Sequence, residues 1–266
     1  MIFLIGCSEG NSTSDGTDHL SRPDTSAVVF GPSLTELFFV SGAGGRLAAV
    51  DRYSIWPPEY SELPRAGDFL SPSLELITSL APTSIHVVGR NQSLQDLAGG
   101  LGIPLYTYSF DRLSDVFNSC SVLEKLYPEA DLGGFRQGIE FTLDSLSEQF
   151  SSAPVRVMIV VYLEGDGAIT LAGMDTFYRD IIEGMGCEMA ASLSGSYPVV
   201  SVEGILSIAP DRVIILDPYG TGETVLSSWR SNGLDDSNVS VFAGEQVLIP
   251  GARLQDTIRG IARCLN

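Results

Sequence analysis

The side chains placed most suggestively in this sequence are aromatics in irregular segments and two glutamates at matching helix starts. Tyr53 and Trp56 lie in DRYSIWPPE, Phe69 in GDFLSP and Tyr197 in GSYPVV, each in a segment that contains Pro or Gly and outside any amphipathic stripe. Flat rings projecting from loops suit a broad, partly apolar ligand with a polar edge. Glu75 and Glu203 each stand two residues after a serine, Ser73 and Ser201, at the head of a short helical pattern. A carboxylate there is stabilised by the helix dipole by about 0.3 to 1 kcal/mol. Two of them at equivalent positions make a two-point dock for a partner with basic pockets.

Catalysis has little to draw on. The two histidines are His19 and His86, and His86 sits inside the apolar run IHVV, where a satisfied core residue is expected. No HExxH, CxxC, GxSxG or P-loop sequence is present. SGAGGRL supplies Gly42 and Gly44 but has Leu47 in place of a third glycine, and it follows the helix SLTELFFV, so it reads as that helix's C-terminal turn. In GPSLTELFF, Ser33 and Glu36 fit a capping box, and a helix N-terminus there would offer free N–H groups to a polar ligand group. A binding protein is expected, not an enzyme, with no metal and no cofactor of its own.

The elements that must hold these residues alternate along the chain. Strands are expected at 27–30, 47–50, 85–88, 104–108, 155–162, 212–216 and 239–242, apolar runs separated by helical patterns, which argues for parallel strands buried on both faces. Phe135, Ile139, Leu143, Leu146 and Phe150 recur every three or four residues, so 131–150 reads as one helix of about 30 Å joining two lobes. The segment 70–88 repeats at 198–216: Ser73 falls on Ser201, Glu75 on Glu203, Ile77 on Ile205, Ala81-Pro82 on Ala209-Pro210, and Phe69 on Tyr197 just upstream. Two similar α/β lobes with a cleft between them follow, at 26–130 and 153–266, bridged by a helix over 131–152 and preceded by a tether, 1–25.

Charge and cysteines set the surroundings. The chain has 266 residues with a formal net charge of −18, and that balance repels nucleic acid phosphates. Lys125 is the one lysine among 15 basic residues. At the start, Leu4-Ile5-Gly6-Cys7 resembles a lipobox, with Cys7 the lipidated residue, and the polar Ser, Thr, Gly and Asp run that follows suits a flexible tether. A shortened lipoprotein signal and a lipid-anchored, extracytoplasmic location are expected. Cys120 falls on the apolar face of a helical pattern with Val116 and Leu123. Cys187 and Cys264 remain, and in an exported chain they would oxidise if they were neighbours.

Taken together, GPSLTELFFVSGAGGRLAAVDRYS, LPRAGDFLSPSLELITSLAP, GMGCE, YPVVSVEGILSIAPDRVIIL and IARCLN resemble the substrate-binding proteins of ABC importers in the class that handles vitamin B12, iron siderophores and haem, and the B12 binders most of all. The resemblance covers about residues 26–266. It implies two Rossmann-like lobes with parallel sheets joined by one long helix, a monomer with a shallow cleft, and a corrinoid as ligand. It implies that Glu75 and Glu203 meet arginines on the permease's two transmembrane subunits, and that Cys187 pairs with Cys264. It assigns ligand contacts to Tyr53, Phe69 and Tyr197, which Trp56 joins as a loop aromatic of the same kind, with Arg90 and Arg253 available to an anionic group. Phenylalanine at 69, where haem binders of the class tend to carry an iron-ligating tyrosine, weakens the haem alternative, and Arg90 with Arg253 keeps a siderophore open. Related two-lobed folds also serve chelatases and metal-cluster scaffolds, for which this chain offers no cysteine or histidine cluster.

Overall fold

The computed structural model describes residues 25–150, 154–163 and 168–266; Cys7, His19 and almost all of the expected tether lie outside them. Its first sheet is built from β1 (Ala27–Phe30), β2 (Leu47–Val50), β3 (Ser84–Val88) and β4 (Leu105–Tyr108), in the order β2-β1-β3-β4 with every pair parallel. The connections carry α1 (Pro32–Val40), α2 (Leu74–Leu80) and α3 (Gln92–Leu101), and α4 (Leu113–Leu126) follows β4. Parallel strands need such crossovers, and their burial from both sides is why AVVF and SIHVV are almost wholly apolar.

The 18-residue helix α5 (Gly133–Phe150) then leads to the second sheet. That sheet contains β5 (Arg156–Leu163), β6 (Ile169–Leu171), β7 (Glu188–Met189), β8 (Val199–Val200), β9 (Arg212–Asp217) and β10 (Val239–Ala243). Its order is β10-β9-β5-β6-β8, with β7 also on β5. β10, β9, β5 and β7 pair in parallel, whereas β6 runs antiparallel to both β5 and β8. The strands expected from apolar runs all form. The three additional ones, β6, β7 and β8, are two or three residues long and too short to show a period. Around this sheet stand α6 (Phe177–Gly184), α7 (Val202–Ile208), α8 (Gly222–Ser231) and α9 (Leu254–Leu265). Among the described residues no helix is long and apolar enough to cross a membrane.

The internal repeat has a conformational signature. α2 and α7 both end on an alanine in the left-handed region, Ala81 at φ 46° and Ala209 at φ 47°, each followed by proline. Proline pushes the residue before it out of the right-handed helical region, so the Ala-Pro pair stops each helix at the same place and feeds β3 or β9. Their starts differ. Ser201 Oγ accepts a hydrogen bond from the Gly204 N–H, but Ser73 makes no side-chain cap.

One hydrophobic cluster runs from Ala27 and Val29 on β1, through Ile139 and Leu143 on α5, to Ile159 on β5 and Ile214 on β9. Such a shared core resists separation of the halves. Cys187 and Cys264 both belong to this cluster or pack against it, but as free thiols; the expected bond between them is absent, and burial raises both thiol pKa values. Cys120 is buried in the same cluster as expected.

Candidate functional site

The segments that follow β1, β2, β3 and β4 in the first half and β9 and β10 in the second line one cleft. On the first half, Asp51 follows the end of β2 and shapes the loop that carries Tyr53. Its Oδ1 accepts from the N–H groups of Tyr53 (2.9 Å) and Ser54 (2.8 Å) and from Ser54 Oγ (3.0 Å), while Oδ2 accepts from the Gly31 N–H. A carboxylate with several donors is a strong local clamp. Tyr53 is thereby held with 62% of its surface open to solvent. Phe69 is fixed differently. Asp68 Oδ1 accepts from the N–H groups of Leu70 and Ser71, and the Phe69 ring lies against Gly89, where a Cβ would sit 3.4 Å from the ring. That contact would be an ordinary one, and it is the φ of 84° that calls for glycine here.

A hollow of about 610 Å³ opens beside Phe69, bordered by Gly89, Arg90, Tyr108, Phe110 and Asp111. A second, of about 220 Å³, joins Phe69 to Tyr53. A third, of about 660 Å³, spans both halves, from Tyr53 and Ile55 to Pro218, Tyr219, Gly244 and Glu245. Shared lining residues connect the three into one groove, open along its length and rimmed by exposed aromatics. Volumes of this order suit an organic molecule of several hundred daltons or more.

The expected ligand residues divide. Tyr53, Phe69 and Arg90 line the groove. Arg90 is exposed and has no ion-pair partner among the described residues. Tyr197 is about half exposed, and its hydroxyl pKa is raised first by burial and then by the Asp111 carboxylate, which borders the groove. Arg253 and Trp56 are used elsewhere. Arg253 Nη2 donates to Glu36 Oε1 at 2.7 Å, and its guanidinium lies 5.0 Å from the centre of the Trp56 ring, which also meets Phe39 edge-on. Glu36 has no exposed side-chain surface.

The expected capping box is corrected by the same contact. α1 begins after Gly31 with Pro32 in its first turn and no side-chain cap, so Glu36 is free to point inward, where burial raises its pKa against the pull of Arg253. Because α1 belongs to the first half and Arg253 precedes α9, the pair ties the halves together. Arg112 and Asp180 tie them at a second place, with Arg112 Nε 2.9 Å from Asp180 Oδ2 and the Leu113 N–H donating to the same oxygen at 2.8 Å.

His86 does no chemistry at the groove. Its ring nitrogens meet Tyr108 Oη at 2.8 Å and Tyr127 Oη at 2.8 Å in a buried network, and burial lowers its pKa to about 3. Among the described residues no three His, Cys, Asp or Glu side chains gather as a metal site.

Two exposed aromatics, one in the groove and one beside it, carry weaker marks in the sequence. Tyr219, 87% exposed, lies in DPYG, between a proline and a glycine, the kind of segment that marked Tyr197 in GSYPVV. Tyr162, 58% exposed, was hidden inside the apolar run of β5. Glu75 and Glu203 are exposed at the first turns of α2 and α7, and the Ser201 side chain lowers the pKa of Glu203.

This chain is similar to proteins of matching length and fold. It is 26% identical over 253 residues to a vitamin B12-binding protein of Vibrio cholerae, covering 92% of this chain and 90% of that one. It is 24% identical over 216 residues to the vitamin B12-binding protein of Vibrio parahaemolyticus, covering 79% and 78% of the two chains. Its fold matches that of a periplasmic haem-binding protein from Pseudomonas aeruginosa with a TM-score of 0.75 at 22% identity, covering 91% and 92%. The fold of the periplasmic vitamin B12 binding protein of Vibrio cholerae matches with a TM-score of 0.71 at 22% identity, covering 90% and 95%. The sequence profile of the periplasmic binding protein family matches residues 28–236, most of the chain, and the chain belongs to that family.

Proposed function

We propose that this protein is the extracytoplasmic, lipid-anchored binding component of an ABC importer, and that it captures a corrinoid in the groove between its halves. The observation that carries the ligand reading is the character of that groove: a long aromatic rim, with Tyr53, Phe69 and Tyr219 exposed, and no cluster of free cations among the described residues. Arg253 is committed to Glu36, and among the described residues the lining pairs the one cation Arg90 with the carboxylates of Asp111 in its own hollow and Glu245 in the hollow that spans the halves, so a bulky ligand edged with neutral amides suits it better than one carrying several carboxylates. Ring stacking on each aromatic contributes about 1 kcal/mol beyond the area buried. The B12-binding relatives support this reading.

Haem is the competing ligand, favoured by one observation: the exposed Tyr53 phenol is a possible iron ligand. Fluorescence titration with cyanocobalamin, haemin and a ferric siderophore decides between them. Tightest binding of cyanocobalamin, weakened at least fivefold in Tyr53→Ala and Phe69→Ala, is expected. Preference for haemin, with a tyrosinate-to-iron absorption band lost in Tyr53→Phe, would replace the corrinoid.

Delivery runs through Glu75 and Glu203. Each stands beside exposed apolar side chains, Leu70 and Leu74 near the first, Val199 and Leu206 near the second, which gives each half a carboxylate set in a small apolar surface. We assign these two surfaces to the permease's transmembrane subunits. The tether would be anchored through Cys7, and the protein would work as a monomer that leaves its ligand chemically unchanged. Oxidation in that compartment would join Cys187 to Cys264, and mass mapping of a non-reduced digest from exported protein tests the pairing.

A further inference from the structure

The hollow of about 660 Å³ that spans the halves takes one tyrosine from each of them, Tyr53 from the first and Tyr219 from the second. Both rings stand largely in solvent, 62% and 87% exposed, so core packing explains neither. Among the described residues Glu245 is the one charged side chain in that lining, and the rest is apolar or glycine apart from the two phenols.

The same local device delivers the two tyrosines. Asp51 follows β2 and Asp217 ends β9, and both are buried, 4% and 1% exposed. The Oδ1 atom of each accepts from the N–H of the tyrosine two residues on, at 2.9 Å for Tyr53 and 3.2 Å for Tyr219. Each Oδ1 also accepts from a hydroxyl of its own loop, Ser54 Oγ at 3.0 Å and Thr221 Oγ1 at 3.1 Å. Such a turn fixes the loop backbone from inside and leaves the tyrosine side chain outside. The internal repeat does not account for the match, because it sets Gly89, not Asp51, against Asp217. Two strands that are not equivalent in the repeat therefore both end in Asp-x-Tyr, and both tyrosines reach the lining of one hollow. A ring already held on a fixed loop loses little freedom when a ligand covers it, which favours binding there.

We infer that Tyr219 is the second half's ring contact with the ligand, the counterpart of Tyr53, and that the flat conjugated core of the ligand lies in this hollow between the two tyrosines. The contact is made by the aromatic ring and not by the hydroxyl, and the Glu245 carboxylate turns anionic edges of the ligand away from this part of the groove. That the core is a corrin rests on the function proposed above; the pairing of the tyrosines rests on the hollow and the two matching turns.

Equilibrium titrations with cyanocobalamin and with haemin separate those two layers. Tyr219 is so exposed that its removal leaves folding intact. Tyr219→Ala should weaken cyanocobalamin binding about fivefold, the contribution of one stacked ring, and Tyr219→Phe should stay within about twofold of the native protein. Phe141→Ala, which removes an exposed ring on α5 outside the groove, should change nothing. Unchanged cyanocobalamin affinity in Tyr219→Ala overturns the pair and leaves the corrinoid. Binding of haemin in place of cyanocobalamin, with the same loss in Tyr219→Ala and recovery in Tyr219→Phe, keeps the pair and removes the corrinoid. A loss in Tyr219→Phe as large as in Tyr219→Ala assigns the contact to the hydroxyl and overturns the inference, and binding of neither compound overturns both layers. Nitration with tetranitromethane, mapped by mass spectrometry on the native protein, gives a second readout: whichever of the two compounds binds should protect Tyr53 and Tyr219 together, and protection of Tyr53 alone overturns the pair.

Discussion

At the scale of single residues, two buried ionisable groups hold the site in place without touching a ligand. His86 has a folded pKa of about 3 against an ordinary value of 6.5, so the unfolded chain binds a proton that the folded one refuses. Its contribution to stability is complete above about pH 6.5 and is lost as pH falls toward 3. Urea unfolding at pH 7 and pH 4 should show a smaller loss of stability in His86→Phe than in the native protein, by about 2 to 3 kcal/mol. Glu36 and Arg253 form the other group. Removing the carboxylate strands a guanidinium of which only 16% is exposed, so Glu36→Ala should cost about 3 kcal/mol in the same assay. The role of His86 was legible in the sequence from its place in an apolar run. That of Glu36 was not, because Ser33 three residues earlier offered a complete local explanation and the true partner stands 217 positions away. The aromatics were half legible: a ring beside Pro or Gly marks a loop, but only the structure shows that Trp56 packs on Arg253 while Tyr219 is left bare.

At the scale of elements, the repeat carries most of what could be read ahead of the structure. The apolar runs foretold β1 to β5, β9 and β10, and the stripe from Phe135 to Phe150 foretold α5, because each buries a long periodic face. The same repeat explains the matching left-handed alanines, which a non-glycine residue occupies at a cost of about 1 kcal/mol. Ala81→Gly and Ala209→Gly should therefore each raise the unfolding midpoint, with a gain of up to about 1 kcal/mol; a loss of stability would show that the turn is held by something other than backbone conformation. α2 and α7 also present Glu75 and Glu203. The double variant Glu75→Ala with Glu203→Ala should keep its affinity for ligand and lose most uptake in cells carrying the permease. A fall in affinity would move those carboxylates from the dock to the groove.

At the scale of the whole molecule, one core runs through both halves and the ion pairs Glu36–Arg253 and Arg112–Asp180 cross between them, so capture is expected with little hinge motion. The net charge of −18 suits a surface that repels phosphates and meets a basic partner, although Glu75 and Glu203 are two of 33 acidic residues. Ligand identity is the least legible property at any scale, because it depends on which loop side chains are left uncovered once the halves have packed. The central claim is that the groove holds a corrinoid. Purified protein mixed with a slight excess of cyanocobalamin and passed through a desalting column should emerge coloured, with the corrinoid absorption bands at about one ligand per chain. Colourless protein that instead retains haemin or a ferric siderophore through the same column would contradict it.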